Sequence, residues 1–283
     1  MSNSAPGIQE ARRERSTSMN TENGPDVARQ AATVLGVIFQ IGGGALAGET
    51  VGRVSAENPT LVVPADYAFT VWGPIFALSL AYTVYQALPG QRQNPLLRRV
   101  GWFMAGAFAG NGLWQILFPA ELFVASQVLL LGIVACAVAA LVSLARYHRE
   151  RALGRVERWL VALPVGLFAG WVTAAVFVGV ATTLVGIGLL DGGFTEAVLG
   201  AILLIVAVVV ASVVVRSTRR GPAQGYVAFG GAVVWALVAV VANQYGASEI
   251  TTLAAALGII PVALALVAPL RTRGPRGATR AAA

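Results

Sequence analysis

The sequence predicts an all-α protein, a polytopic integral membrane helix bundle of eight transmembrane helices with both termini cytoplasmic. Three observations predict it. The chain of 283 residues is 57% hydrophobic and only 12% charged, about half the ~25% charged share of a soluble domain, and its mean hydropathy is +0.72. Eight apolar runs approach or exceed the roughly 20 residues that a helix needs to cross a bilayer core. The arginines between those runs alternate with near-complete regularity.

In chain order, residues 1–30 are polar and of mixed charge, without an apolar core. They read as a disordered cytoplasmic tail and lack the apolar stretch of a signal peptide. Met19, close to the first run, is a candidate start beside Met1. The spans follow at about 31–50, 67–88, 99–119, 122–145, 159–183, 196–215, 226–245 and 250–270. Length and flanks define them, because a lipid-buried helix is apolar all round and shows no useful periodicity. The fifth run stays apolar to Leu190, so it is expected to tilt or to end in an outer segment before "LLDGGFTEA". Residues 271–283 form a basic cytoplasmic tail.

Arginine placement fixes the count. All 20 basic residues are arginine. The N-terminal tail, the second, fourth and sixth connections and the C-terminal tail hold 19 of them, and Arg53 alone falls on the other side. Cytoplasmic loops retain positive charge, and an odd number of spans would break the alternation. At the lipid boundary these arginines have anionic headgroups as their nearer partner, so membrane lipid is the expected partner and nucleic acid is not. The pairs Gly44/Gly48, Gly106/Gly110 and Gly166/Gly170 each place two glycines on one helical face, which suits close helix packing in lipid.

No Asp, Glu, Arg or His lies near the middle of a span. Ion-coupled transporters keep such groups inside the membrane, so an ion-driven mechanism is not expected. Acid–base pairs and metal-ligand clusters are missing from the spans for the same reason, and the chain is read as no enzyme, without cofactor or metal. Cys136, the single cysteine, reads as a small hydrophobe, and His148, in "ARYHRERALGR", as a solvated side chain of a basic loop.

What the spans do contain is rings and amides. "YAFTVWGPIFALSLAYTVYQ" (67–86) holds six aromatics; Trp72 and Phe76 share a face, and Pro74 is expected to kink the helix. In "GNGLWQILF", Asn111, Trp114, Gln115 and Phe118 fall at i, i+3, i+4 and i+7 on one face. An unpartnered amide in hydrocarbon costs roughly 2–7 kcal/mol, so Asn111 should face another helix or a cavity. Pro164 and Trp171 offer a second kink and a further ring in the fifth span. Trp102 and Trp159, beside arginine-rich loops, fit an interfacial belt. Trp72, Trp114 and Trp171 lie deeper and are candidates for a shared aromatic cavity, with ordinary packing as the competing reading.

These motifs resemble those of the TspO/translocator-protein family, the tryptophan-rich sensory proteins, especially its longer bacterial members. "WGPIF" (72–76) stands where that family has an F-G-P-V-W-like motif, after a proline-containing outer loop, "ENPTLVVPADYAF". "GNGLWQILF" keeps Asn111, Trp114 and Phe118 of an L-N-x-x-W-x-x-x-F pattern. Pro164 and Trp171 match the fifth span, but Gly179 replaces the usual Asn, removing a polar handle. The resemblance covers about residues 31–185. It implies a five-helix TspO-like membrane domain over 31–190, with three additional helices over 191–270. It also implies a cavity under the loop joining spans one and two, for hydrophobic planar ligands such as porphyrins, haem precursors or sterols. The implied ligand-binding residues are Trp72, Phe76, Asn111, Trp114, Phe118 and Trp171, and the expected role is that of a receptor or carrier in sensing or transport. An uncoupled permease using all eight helices is the alternative. The expected location is the bacterial inner membrane. A homodimer is the candidate protein partner, unless the extra helices cover the face concerned.

Overall fold

The computed structural model describes residues 6–190 and 192–268, with side chains placed from Gly24 onward. Among these residues there is no strand, and eight long helices follow one another: α1 Pro6–Glu57, α2 Trp72–Ala87, α3 Pro95–Leu117, α4 Phe123–Glu150, α5 Leu163–Gly186, α6 Gly193–Thr218, α7 Ala223–Gln244 and α8 Glu249–Val267. The protein is a polytopic helical membrane bundle. Seven of the helices are long and apolar enough to cross a membrane. The eighth, α3, is diluted by Arg98, Arg99, its glycines, Asn111 and Gln115. It nonetheless packs between α1 and α4. Asn94 caps its start by accepting from the Leu96 N–H at 2.9 Å, with Pro95 in the first turn, where a missing N–H removes nothing.

Packing runs α1–α3–α4–α5 and then α5–α7–α8–α6, with α2 laid against α1 and α5. Glycines set the two closest approaches. A Cβ added to Gly166 would collide with the Gly225 carbonyl, and one at Gly170 with that of Phe229, so α5 and α7 touch backbone to backbone. A Cβ at Gly36 would press on Ala105 O at 3.1 Å, and one at Gly112 on the Phe39 ring at 2.5 Å, across the α1–α3 contact. Leu35, Ile38, Leu46, Val128, Leu131 and Leu257 are exposed on the bundle's outside, as lipid requires.

One expectation changes and two take a more definite form. Residues 24–30, assigned by composition to a disordered tail of 1–30, belong to α1. Asp26, Arg29 and Gln30 are all buried there. Partners far along the chain explain this: Asp26 accepts from Arg98 Nε at 2.9 Å, Arg29 Nη2 donates to Arg92 O at 2.7 Å, and Gln86 Nε2 donates to Gln30 O at 3.2 Å. Composition sees the charges but not the groups that pair with them. Second, Pro74 stands near the start of α2, where the span changes helix type. It is the third residue of the helix, just after a 3₁₀ segment, Asp66–Val71. Third, Pro164 stands in the first turn of α5, after a short helical turn, Arg155–Glu157, and a π-helical turn, Arg158–Ala162. Each proline therefore marks a change of helix type, within helical backbone that runs on from the preceding turn. The basic tail 271–283 and Asp191 lie outside the described residues.

Filling the α5–α7 contact should be felt at once. Gly170→Val is expected to destabilise the bundle by about 1–3 kcal/mol through overpacking. Thermal unfolding in detergent should show this loss, with little effect from Gly132→Ala, whose Cβ would meet nothing within 4 Å.

Candidate functional site

At the end of the bundle opposite the arginine-rich loops lies a cavity of about 490 Å³, within the usual ~300–1,000 Å³ of small-molecule sites. Every helix from α1 to α5 contributes wall, α7 adds Ala236, and Val63, Pro64 and Asp66 of the α1–α2 loop form its roof.

The walls follow from helical spacing. On α1, Gly44, Gly48 and Gly52 recur every four residues and face the cavity. Gly48 and Gly52 have no atom within 4 Å of an added Cβ, and at Gly44 that atom would meet the Phe76 ring at 2.8 Å. The Gly44/Gly48 pair thus opens space, whereas Gly166/Gly170 closes helices together. On α2, Trp72 and Phe76 sit with ring centroids 5.3 Å apart. Trp171 of α5 meets Trp72 edge-on at 6.2 Å and is itself met edge-on by Phe69 at 6.0 Å. On α3, Trp114 and Phe118 stack at 4.9 Å and 17°, and Phe123 of α4 backs Phe118 at 5.9 Å. Edge-to-face and offset pairs are the arrangements that ring quadrupoles favour, each adding about 0.5–1.5 kcal/mol beyond burial.

Five of the six residues singled out from the sequence therefore line one cavity: Trp72, Phe76, Trp114, Phe118 and Trp171. The sixth, Asn111, does not. It is buried one turn nearer the arginine end, and its Nδ2 has no hydrogen-bond partner. Gln115, a turn further along the same face, reaches the wall instead. Its Nε2 donates to Gln40 O at 2.8 Å and to Asn111 O at 3.3 Å.

Sequence reasoning missed Phe69, Gln127 and the hydroxyls of Ser126, Thr182 and Thr183, all on the wall. Gln127 carried a readable signal. It is an amide inside the apolar run of α4, so the cost argument applied to Asn111 applies equally to it. Its Nε2 donates to Val176 O at 3.1 Å. Its Oε1 lies where a Cβ on Gly179 would stand. The handle lost at position 179 on α5 is thus replaced by an amide reaching across from α4.

The roof is held by helices beyond the first five. Glu196 of α6, itself buried, accepts from the Leu61 N–H at 2.8 Å. Gln244 and Asn243 of α7 both donate to Val63 O at 3.1 Å, the Ala65 N–H donates to Ala239 O at 3.0 Å, and Trp235 Nε1 donates to Ala68 O at 3.1 Å.

Aromatic cavity, roof loop and helix order now stand together with one further finding. The model of the TSPO-like protein family matches residues 29–268. The chain belongs to that family. In this TSPO-like protein the matched stretch extends past residues 31–185, where the recognisable motifs lie, and takes in α1 from residue 29 and the whole of α2 to α8. No curated protein and no solved structure matches the chain.

Glu196→Ala should loosen the roof of this TSPO-like protein. Removing the acceptor leaves the partly buried Leu61 N–H unpaired, at about 1 kcal/mol. Amide exchange in residues 58–65 is expected to accelerate several-fold, read by mass spectrometry on the protein in nanodiscs.

Proposed function

We propose that this protein binds a hydrophobic, planar ligand, of tetrapyrrole or sterol type, inside the membrane, for sensing or transport. The observation that carries the reading is the convergence of Trp72, Trp114 and Trp171, from three different helices, on one cavity. A flat ring system can lie against such walls, gaining the ring-pairing energy described above in addition to contact area. A ligand arriving from lipid gains little hydrophobic energy, so shape and a few polar groups must select it. The family supports a membrane-resident protein of this kind. The arginine asymmetry supports both termini in the cytoplasm and thus a cavity near the outer leaflet of a bacterial inner membrane. Binding is proposed here without catalysis, because aromatic rings, amides and hydroxyls do not by themselves make an acid–base pair.

A permease that uses all eight helices is the second reading, favoured by the hydrogen bonds that tie α6 and α7 to the roof. The two differ in whether ligand crosses the membrane.

Titration of the purified protein with protoporphyrin, its neutral derivatives and sterol probes should quench indole fluorescence saturably for at least one planar ligand. Trp72→Ala and Trp114→Ala should each weaken that binding about tenfold, equivalent to about 1.4 kcal/mol. Saturable uptake into proteoliposomes without any saturable quenching would favour the permease.

A further inference from the structure

We propose that the junction of α1, α2 and α3 binds a file of ordered water, running from the buried Arg29 at the arginine-rich end to the floor of the aromatic cavity at Gln115. The polar side chains of the junction carry the inference. On α2, Ser79, Tyr82, Thr83 and Gln86 are all buried, and their spacing of i, i+3, i+4 and i+7 puts them on one face. On α1, Gln30, Thr33 and Gln40 are buried as well and also share a face. The two faces meet. Gln30 Nε2 donates to Gln86 O at 2.5 Å, and Gln86 Nε2 donates to Gln30 O at 3.2 Å. About 15 Å further along α1, Gln40 Nε2 donates to Ser79 Oγ at 3.4 Å. Helix α3 closes the third side: the Tyr82 ring meets Phe108 edge-on at 6.1 Å, and Gln115 Nε2 reaches Gln40 O at 2.8 Å.

These contacts leave much of the junction's bonding capacity unused. Among the described residues eleven buried side-chain polar atoms have no hydrogen-bond partner, and eight of them lie here. At the inner end they are Arg29 Nε and Nη1, Arg92 Nε and Gln86 Oε1. In the middle they are Tyr82 OH and Thr83 Oγ1, and nearest the cavity Gln40 Oε1 and Asn111 Nδ2. A buried polar group left dry is penalised. Orphans scattered through a bundle would each be a local matter, whereas eight along one three-helix seam point to a shared partner.

The mixture of groups identifies that partner. Guanidinium and amide nitrogens only donate, amide oxygens only accept, and hydroxyls do both. A cation would stand beside the Arg29 guanidinium, and an anion would face the oxygens of Gln86 and Gln40. Water donates and accepts, and a buried water bridges about three such groups. Val37 and Phe108, both buried at the same junction, keep the file from being an open pore. Its inner end reaches the surface through Asp26 and its partner Arg98, whose side chain is 48% exposed. Its outer end is Gln115, which stands on the cavity wall. Asn111, which the cavity does not reach, thereby gains a partner. The file hydrates the cavity floor from the side of the arginine-rich loops, whichever ligand the cavity takes.

Hydroxyl radicals made from water by an X-ray pulse oxidise side chains that water touches, including those closed to bulk solvent. The full chain in phosphatidylcholine nanodiscs is irradiated, and oxidation is read residue by residue by mass spectrometry. Tyr82 and Phe229 are both 0% exposed, but Phe229 lies in the α5–α7 contact, away from the junction. With water bound among its polar partners, Tyr82 is expected to be oxidised at least about tenfold faster than Phe229, and Thr83→Val should cut that rate severalfold. Thr83→Val and Asn111→Leu each remove a polar group with little change of shape. Where water serves that group, the unfolding temperature stays unchanged or falls. In a dry junction it would rise, because an unpaired buried group has been removed. Tyr82 as inert as Phe229, an unchanged Tyr82 rate in Thr83→Val, or a higher unfolding temperature in either variant would overturn the proposal.

Discussion

Backbone amides and carbonyls that leave a helix need partners wherever the fold buries them, and the α1–α2 loop leaves one directly above the cavity. Its groups are paired by other helices. Leu61 N–H goes to Glu196, Val63 O to Gln244 and Asn243, Ala65 N–H to Ala239 O, and Ala68 O to Trp235. Each of these partners lies on α6 or α7. Without them the roof would carry unpaired polar groups or fold away to find water, and the aromatic walls below would open to solvent. α6 and α7 are in this sense part of the cavity, although only Ala236 of them reaches its wall.

A void among close-packed helices has to be kept open, since packing favours its collapse. Two features keep this one open. On α1 the glycines at 44, 48 and 52 withhold side chains along a single stripe, so the helix stays in the bundle while its cavity face stays bare. Rings facing that stripe are held by other rings, Trp72 by Phe76 and Trp171, Trp114 by Phe118, and Phe118 by Phe123. A ring fixed by its neighbours cannot swing in to fill the gap. At the far end, Asp26, Arg29, Gln30 and Gln86 tie the start of α1 to α2 and α3 through buried polar contacts. The bundle is thus fastened by polar groups at both ends, with aromatic rings between them.

How much of this could be read from the chain depended on whether the signal was local. Span number and type were legible because apolar length and arginine alternation are properties of single segments. Even α3, the least apolar helix, was legible from its flanks. Trp72, Phe76, Trp114, Phe118 and Trp171 were legible because period and depth distinguish them from belt residues such as Trp102 and Trp159, which are exposed. The misses were relational. Asn111 and Gln115 share a face of α3, and nothing in the spacing says which of them the cavity reaches. Residues 24–30 look unsupported until Arg92 and Arg98, about 70 residues later, are brought beside them. The Gly44/Gly48 and Gly166/Gly170 pairs are the same pattern in sequence, yet the first faces a ring at Gly44 and empty space at Gly48, and the second a neighbouring backbone.

Gly179 shows how a polar site can survive the loss of a residue. Had the fold placed a side chain there, its Cβ would overlap Gln127 Oε1, so an amide on α5 and the observed placement of Gln127 exclude each other. The two helices share one volume, and either can fill it with a polar group. The choice made here has a chemical consequence. An asparagine presents either end of its amide according to its neighbours, whereas Gln127 is anchored by one N–H to Val176 O and keeps its oxygen and its second N–H to offer. Gln115 is anchored in the same sense on the facing helix. Contacts that hold the helices together therefore also set the polarity of the cavity, and a substitution that altered one would be expected to alter the other.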